Sequence, residues 1–340
     1  MSEQKIFYDA ENLRGYIKAL APKNIFLVHG KTFNRLSIAE MFNAFNATHF
    51  TDFKPNPLIE SVDAGVKVFR ENDCDLIIAI GGGSAIDVAK CVKLQAAQAV
   101  PFIAIPTTAG TGSEATRFAV VYKNGEKQSV TDVCMIPDAI YFHAEPLKIL
   151  PPYQRKATLL DAFSHAVESY WSVKATEASR AFAAEALRII VSLQADYFDG
   201  RTGDAENLSL LYASYLAGKA INISETTAGH AMSYKLTSLF GVSHGHAAAL
   251  CNAGLWRFMQ DSAAVKELTA IIGEKTFRTL LTDGELIYPL TDVRAADFDS
   301  TLELLTRSVN PVRLKNFPAP LPEDVIREIY RAILLGEAIE

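Results

Sequence analysis

The segment "CDLIIAIGGGSAIDVAKCVKL", residues 74–94, limits the folds open to this chain more than any other stretch. An apolar run of strand length passes into three glycines and a serine. It continues as a helical pattern in which Ile86, Ala89 and Val92 recur on one face. A strand apolar on both sides belongs inside a sheet covered on both faces, the usual condition of a parallel sheet. "VPFIAIPTTAGTGSEAT", at 100–116, repeats the plan with a second loop of small residues, and "NIFLVHG", at 24–30, is a further apolar run ending in glycine. In "FAVVYKNGEKQSV", Asn124-Gly125 stands between two strand-like runs and predicts a type I′ hairpin. Strands alternating with helices predict an α/β domain on a mostly parallel sheet.

After "LKILPPYQRKA" the grammar changes. Pro151-Pro152 breaks the chain, and "DAFSHAVESYWS", "ASRAFAAEALRIIVSLQADY" and "LSLLYASYLAGKAI" are alanine-rich and helical, with hardly a strand signal. The expected organisation is an α/β domain over 1–148 and an all-α domain over 149–340, with the cleft between them as the default site. The net charge of −6 and the lack of a basic stripe argue against a nucleic acid as main partner, while leaving room for a local cationic pocket. No run approaches eighteen apolar residues, so no membrane span is expected. The opening "MSEQKIFYDAENLRGY" lacks a signal-peptide pattern. Cys74, Cys91, Cys134 and Cys251 form no CxxC pair, which fits a reducing, cytoplasmic setting.

The two small-residue loops suit a nucleotide. Gly81, Gly82 and Gly83 permit close backbone approach, and N–H groups at the start of the following helix suit a phosphate. Thr107, Thr108, Thr111 and Ser113 add donors from the second loop. Two such loops after adjacent strands would line one end of the sheet, where nucleotides bind in open α/β folds. A bare GGGS alone also suits a tight strand-to-helix turn.

The helical half concentrates imidazoles. "SETTAGHAMSYKLTSLFGVSHGHAAAL" holds His230, His244 and His246, while "LLDAFSHAVESYWS" places Asp161 and His165 four apart on one helix face, with Glu168 continuing the stripe. By itself the Asp161–His165 pair reads as an ordinary surface pair. Joined to His230 and His244 it offers one carboxylate and three imidazoles, a set for Fe²⁺ or Zn²⁺ rather than Mg²⁺ or Ca²⁺.

The ordered motifs "PNP", "GGGSAIDVAK", "PTTAGTGSE", "DAFSHAVE" and "HAMSY…GVSHGHA" closely resemble the iron-containing (group III) alcohol dehydrogenases, relatives of glycerol dehydrogenases and, more remotely, dehydroquinate synthases. The likeness runs from about residue 25 to 255; the last eighty residues carry no motif. The resemblance implies an N-terminal NAD(P)-binding domain, a helical domain holding one divalent metal, and an active site between them. It carries the metal ligands onto Asp161, His165, His230 and His244. It carries the cofactor contacts onto Gly30, Lys31, Gly81, Gly82, Gly83, Ser84, Asp87, Thr107, Thr108, Thr111, Ser113 and Lys127. His246 is not a ligand position and is expected to act as a donor behind the ligands.

Three departures stand out. Many members carry a histidine four residues after the first ligand of the His pair, where this chain has Tyr234. A glycine that often precedes the metal Asp is Leu160. Members that prefer NADH commonly carry an Asp after the first strand, where this chain has Gly30-Lys31, so NADPH is expected to serve at least as well as NADH.

The implied reaction is reduction of an aldehyde by NAD(P)H with the metal as Lewis acid, the proton coming from water, Tyr234 or His246. A general short-chain alcohol dehydrogenase, a glycerol dehydrogenase-like enzyme, a non-redox synthase and a nucleotide-binding regulator remain the alternatives. Within the family, "PTTAGTGSEATRFAVVY", "ESYWSV", "LAGKAINIS" and "HAMSYKLTSLFGVSHGHA" look most like the phosphonoacetaldehyde reductase branch, with Arg117, Lys219 and Lys235 as candidate cations for a phosphonate. A homodimer is the expected assembly.

Overall fold

Alternate residues of the central strands fill two separate apolar layers. Phe26, Val28, Ile77, Ala79, Phe102 and Ala104 point to one; Ile25, Leu27, Ile78, Ile80, Ile103 and Ile105 point to the other. The strands are therefore buried on both faces, as their unbroken apolar runs require. The structure is a computed structural model that describes residues 4–96, 98–123 and 126–337, the side chains of Glu126 and Lys127 excepted.

The chain forms two units, the first being Met1–Leu150 with Gly203–Tyr215 and the second Pro151–Thr202 with Leu216–Glu340. In the first, the strands are β1 (Lys5–Phe7), β2 (Ile25–His29), β3 (Ala47–Phe50), β4 (Leu76–Gly81), β5 (Phe102–Pro106), β6 (Phe118–Lys123), β7 (Glu126–Thr131) and β8 (Ala139–Tyr141). Its helices are α1 (Ala10–Leu20), α2 (Ala39–Phe42), α3 (Ile59–Glu71), α4 (Gly83–Ala96) and α5 (Glu145–Lys148). Six strands make a parallel sheet in the order β1-β8-β5-β4-β2-β3. The winding reverses between β2 and β4, which are paired with His29 opposite Ile80. That reversal opens a crevice at the carboxyl ends of the strands. β6 and β7 pair antiparallel; the hairpin expected at Asn124-Gly125 lies outside the described residues.

The second unit is helical. It contains α6 (Pro152–Trp171), α7 (Glu177–Phe198), the C-terminal half of α8 (Asp204–Ser224), α9 (Ala228–Phe240) and α10 (His244–Phe258). After these come α11 (Ala263–Ile272), α12 (Phe277–Asp283), α13 (Phe298–Arg307), α14 (Pro311–Leu314) and α15 (Glu323–Leu335). Pro152 opens α6 where its missing N–H is harmless. The boundary expected at 148/149 needs one correction. The first half of α8 belongs with the first unit, because Tyr212 and Tyr215 pack edge-on against Phe142 at 6.5 and 5.9 Å between ring centres. No helix among the described residues is long and apolar enough to cross a membrane.

Two charged side chains of α4, the half-buried Asp87 and the buried Lys90, tie the loop after β5 to the helix after β4. Asp87 accepts hydrogen bonds from Ser113 Oγ at 2.6 Å and from the Val120 N–H at 2.9 Å. Lys90, with no exposed surface, donates to Thr116 Oγ1 at 3.1 Å and to the Phe118 carbonyl at 2.7 Å. Burial pushes its ammonium down to about 8 against the pull of Asp87 and Glu114. Asp87→Ala strands two donors and is expected to cost about 1–3 kcal/mol. A chemical denaturation midpoint equal to that of the parent would show that Asp87 does not hold the loop.

Candidate metal centre

α6 carries a buried polar stripe. Asp161, His165 and Glu168 fall on one face, with 4%, 5% and 0% of their surface exposed. His230 of α9 and His244, the first residue of α10, come up against it. Two glycines permit that approach. A Cβ on Gly245 would stand 2.2 Å from the Ala157 carbonyl oxygen and 2.5 Å from Asp161 Cβ. A Cβ on Gly229 would stand 2.0 Å from Asn252 Oδ1. Larger residues would drive α10 from α6, or α9 from α10.

Glu168 organises the surroundings. Its Oε1 accepts from His230 Nδ1 at 2.6 Å, from the His230 N–H at 3.0 Å and from Asn252 Nδ2 at 2.8 Å. Its Oε2 accepts from Thr227 Oγ1 at 2.8 Å and from the Thr227 N–H. Burial pushes the Glu168 carboxyl up, but the His230 charge and these hydrogen bonds hold it below the usual range. The bond to Nδ1 fixes the His230 tautomer and leaves Nε2 as the donor atom. At His244, Nδ1 lies 3.3 Å from Ser233 Oγ. That hydroxyl spends its proton on the His230 carbonyl at 2.9 Å, so it accepts from Nδ1–H and leaves the Nε2 lone pair.

Asp161, His230 and His244 each offer one ligand atom within 4.8 Å of the others. Two of these groups carry buried atoms without a hydrogen-bond partner, Asp161 Oδ1 and His230 Nε2. They stand 3.5 Å apart. A direct charge-assisted hydrogen bond would draw them to about 2.8 Å. Two donors each about 2.1 Å from one tetrahedral ion stand about 3.4 Å apart, which the observed spacing matches. Unpaired buried polar atoms cost about 1–3 kcal/mol each, a penalty that a shared divalent ion removes. The residues present therefore fit a borderline metal. His165 stacks on His230 at 4.5 Å between centres, with Nε2 3.9 Å from Asp161 Oδ1, at the margin of the group. Burial works against the Asp161 carboxylate, yet the charges of His165, His230 and His244 hold it well below the usual range. Burial likewise opposes protonation of His230, and Glu168 and Asp161 raise it to about 9.

Tyr234 stands beside the group. Its ring stacks on His244 at 5.4 Å and 14°, and its hydroxyl accepts from Arg313 Nη1 at 2.8 Å. The expected donor role of His246 needs correction. Two residues apart on a helix means about 200° of rotation, so His246 turns away from the face that His244 presents. It is fully buried, with Nδ1 3.1 Å from the Tyr153 hydroxyl and Nε2 2.8 Å from the Leu286 carbonyl. Both nitrogens serve to brace α10.

In the first unit, Gly81 closes β4, and Gly82, Gly83 and Ser84 lead into α4, whose first N–H groups lack intrahelical acceptors. The second loop rests on the first. A Cβ on Gly82 would lie 3.3 Å from Thr108 Oγ1, and one on Gly83 would lie 2.9 Å from Thr111 Cγ2. The Thr107 N–H donates to the Gly81 carbonyl at 3.0 Å. Gly30 follows the last residue of β2, with open space where a Cβ would stand, and Lys31 is exposed. Small-residue turns at the carboxyl ends of parallel strands suit a nucleotide phosphate. Ser113 and Asp87 are bonded to each other, and the Lys127 side chain lies outside the described residues. Glu168, Thr227, Ser233, Asn252 and Arg313 were not anticipated as site residues. Only Glu168 had a sequence signal, its place on the Asp161–His165 stripe.

Glu168→Gln should weaken divalent-metal binding by about 10–100-fold, because it removes the charge that holds His230. Gly245→Ala should lower both metal content and stability, the latter by about 1–3 kcal/mol. Metal content by mass spectrometry after dialysis, read beside thermal melts, checks both. Full loading of either variant at the affinity of the parent contradicts the geometry described.

Both units resemble known proteins. The family profile for iron-containing alcohol dehydrogenases matches residues 4–143, and the profile for the C-terminal part of Fe-containing alcohol dehydrogenases matches 156–290. A 1,3-propanediol dehydrogenase of Citrobacter freundii is 31% identical over 67% of this chain and 64% of its own length. A phosphonoacetaldehyde reductase of Streptomyces viridochromogenes is 32% identical over 61% of this chain and 58% of its own. Among solved structures, a sulfoacetaldehyde reductase from Bifidobacterium kashiwanohense in complex with NAD⁺ superposes with a TM-score of 0.88 at 26% identity, over 98% of both chains. The α/β unit on a parallel sheet and the helical unit are those of this group. The chain belongs to the iron-containing alcohol dehydrogenase family, a family of oxidoreductases.

Proposed function

We propose that this chain is a metal-dependent NAD(P)H aldehyde reductase that reduces phosphonoacetaldehyde to 2-hydroxyethylphosphonate. The observation that carries the reading is the buried pair Asp161 Oδ1 and His230 Nε2, both without hydrogen-bond partners and grouped with His244. Asp161, His230 and His244, with His165 at the margin, would hold Fe²⁺ or Zn²⁺. A divalent ion bound there supplies a Lewis acid for the carbonyl oxygen, and NAD(P)H supplies the hydride.

The chain's own residues do the rest. Glu168 and Ser233 fix the tautomers of His230 and His244, so both present lone pairs. Tyr234, whose oxygen accepts a hydrogen bond from Arg313 and whose ring stacks on His244, would give its proton to the reduced oxygen. The Gly81–Ser84 turn and the threonines of the second loop would hold the cofactor phosphates, and Gly30 leaves room for a 2′-phosphate.

The substrate reading draws on two similar proteins, one named for phosphonoacetaldehyde and the other for sulfoacetaldehyde. Both substrates are two-carbon aldehydes bearing a strong anion. So little apolar surface means that binding energy must come mainly from the anion.

Chelation should abolish aldehyde-dependent NAD(P)H oxidation, and added Fe²⁺ or Zn²⁺ should restore it. His230→Ala should lower kcat by orders of magnitude. Parent-level turnover of His230→Ala in a sample free of metal would refute the centre. NADPH should serve at least as well as NADH, and Gly30→Asp should move the kcat/KM ratio toward NADH, since a carboxylate there would repel a 2′-phosphate. Phosphonoacetaldehyde should be preferred over propanal and butanal by about a hundredfold in kcat/KM, about 2.7 kcal/mol. Equal use of all three would leave a general alcohol dehydrogenase.

A further inference from the structure

The geometry points to Arg313 as the residue that binds the anionic group of the substrate, and so as the residue that sets selectivity for a phosphonate or sulfonate aldehyde. This inference rests on the aldehyde-reductase reading and goes beyond it, because no sequence motif marks the stretch in which Arg313 lies.

Its position comes first. Arg313 sits on α14, a four-residue helix started by Asn310, whose Oδ1 accepts from the Val312 N–H at 2.9 Å, and by Pro311. Just beyond it, Asn316 is buried and anchors the segment. Asn316 Nδ2 donates to the carbonyls of Ser224 and Thr226 at 2.8 and 2.9 Å, Oδ1 accepts from Ser172 Oγ at 2.8 Å, and the Val173 N–H donates to the Asn316 carbonyl at 3.1 Å. Phe317 stands edge-on to Trp171 at 5.8 Å. The helix carrying Arg313 is thus pinned to the end of α6 and to the turn that leads into α9.

Its surroundings come second. The guanidinium is half-buried, lies 5.0 Å over the Tyr234 ring and donates Nη1 to the Tyr234 hydroxyl. Tyr234 in turn stacks on His244, so the cation stands one ring away from the candidate metal group. Among the described residues no carboxylate pairs with it, whereas Arg307 and Arg327 on neighbouring helices share Glu303 at 2.6 and 3.1 Å. One of its five N–H donors is spent on Tyr234. The remaining planar fork suits the oxygens of a phosphonate or sulfonate. The assignment requires a two-carbon aldehyde to present its carbonyl oxygen to the metal group and its anion to this fork at once.

The cations suggested by sequence proximity are placed less well. Arg117 lies over Phe118 at 4.6 Å and Lys219 over Phe182 at 5.8 Å, neither ring being part of the metal group. Lys235 follows Tyr234 on α9, about 100° further round the helix, and serves as the comparison residue.

The test compares the metal-loaded parent with Arg313→Met, Arg313→Lys and Lys235→Met, using phosphonoacetaldehyde, sulfoacetaldehyde and propanal, with melts and metal content recorded for each protein. For Arg313→Met, the ratio of kcat/KM for an anionic aldehyde to that for propanal should fall about a hundredfold. The loss should lie in KM, metal content should match the parent, and Arg313→Lys should recover part of the ratio. Whichever of phosphonate and sulfonate shows the larger fall identifies the anion the fork fits. Equal loss on all three substrates, no change in the ratio, or a fall with Lys235→Met in place of Arg313→Met overturns the assignment. A parent that reduces propanal as well as either anionic aldehyde overturns it while leaving the reductase reading standing. A parent that reduces no aldehyde sinks both.

Discussion

The buried carboxylate of Glu168 is the contact on which the helical unit depends. It lies on α6 and accepts from Thr227 and His230 at the start of α9 and from Asn252 on α10, so one ion fixes three helices. A buried charge is costly unless its lone pairs are met, and breaking such a pair by removing one member costs about 3–5 kcal/mol. Here five donors from two residues and an amide meet it. The same bonds that make burial tolerable orient His230, leaving Nε2 to face Asp161 Oδ1 across 3.5 Å.

The two units handle charge in different ways. In the α/β unit the crevice at the β2–β4 reversal is lined by glycine backbone and small hydroxyls, so a phosphate would be held by N–H groups and dipoles rather than by a dedicated cation. In the helical unit ionisable side chains do the work, held in place by a second layer of hydrogen bonds. Small residues enable both. Gly82 and Gly83 admit the threonines of the neighbouring loop, and Gly245 admits α6.

An acidic chain can still keep a cationic pocket. The net charge of −6 is spread over 340 residues, and solvent screens exposed charges beyond about 8 Å. What a small anion meets is the nearest unneutralised cation. Arg313 is held against Tyr234, whose ring stacks on His244 of the candidate metal group.

Much of this was legible in the residue order. Unbroken apolar runs followed by glycine turns determined the strands, the helix after them and the parallel sheet, because pleat and helix periods are local properties. The i, i+4, i+7 spacing of Asp161, His165 and Glu168 determined that they share a face. Proximity in sequence misled at His246, where two steps along a helix reverse the direction of the side chain, and at the 148/149 boundary, where Tyr212 and Tyr215 draw half of α8 to the other unit. Nothing in the sequence marked Arg313, since a four-residue helix has no usable period and its place depends on Asn316 and Phe317 packing against distant turns. Sequence alone determined which residue types lie on which face of each element. Tertiary packing decided which faces meet, because a contact between elements far apart in the chain depends on the shape and burial of both surfaces, and neither can be read from one segment.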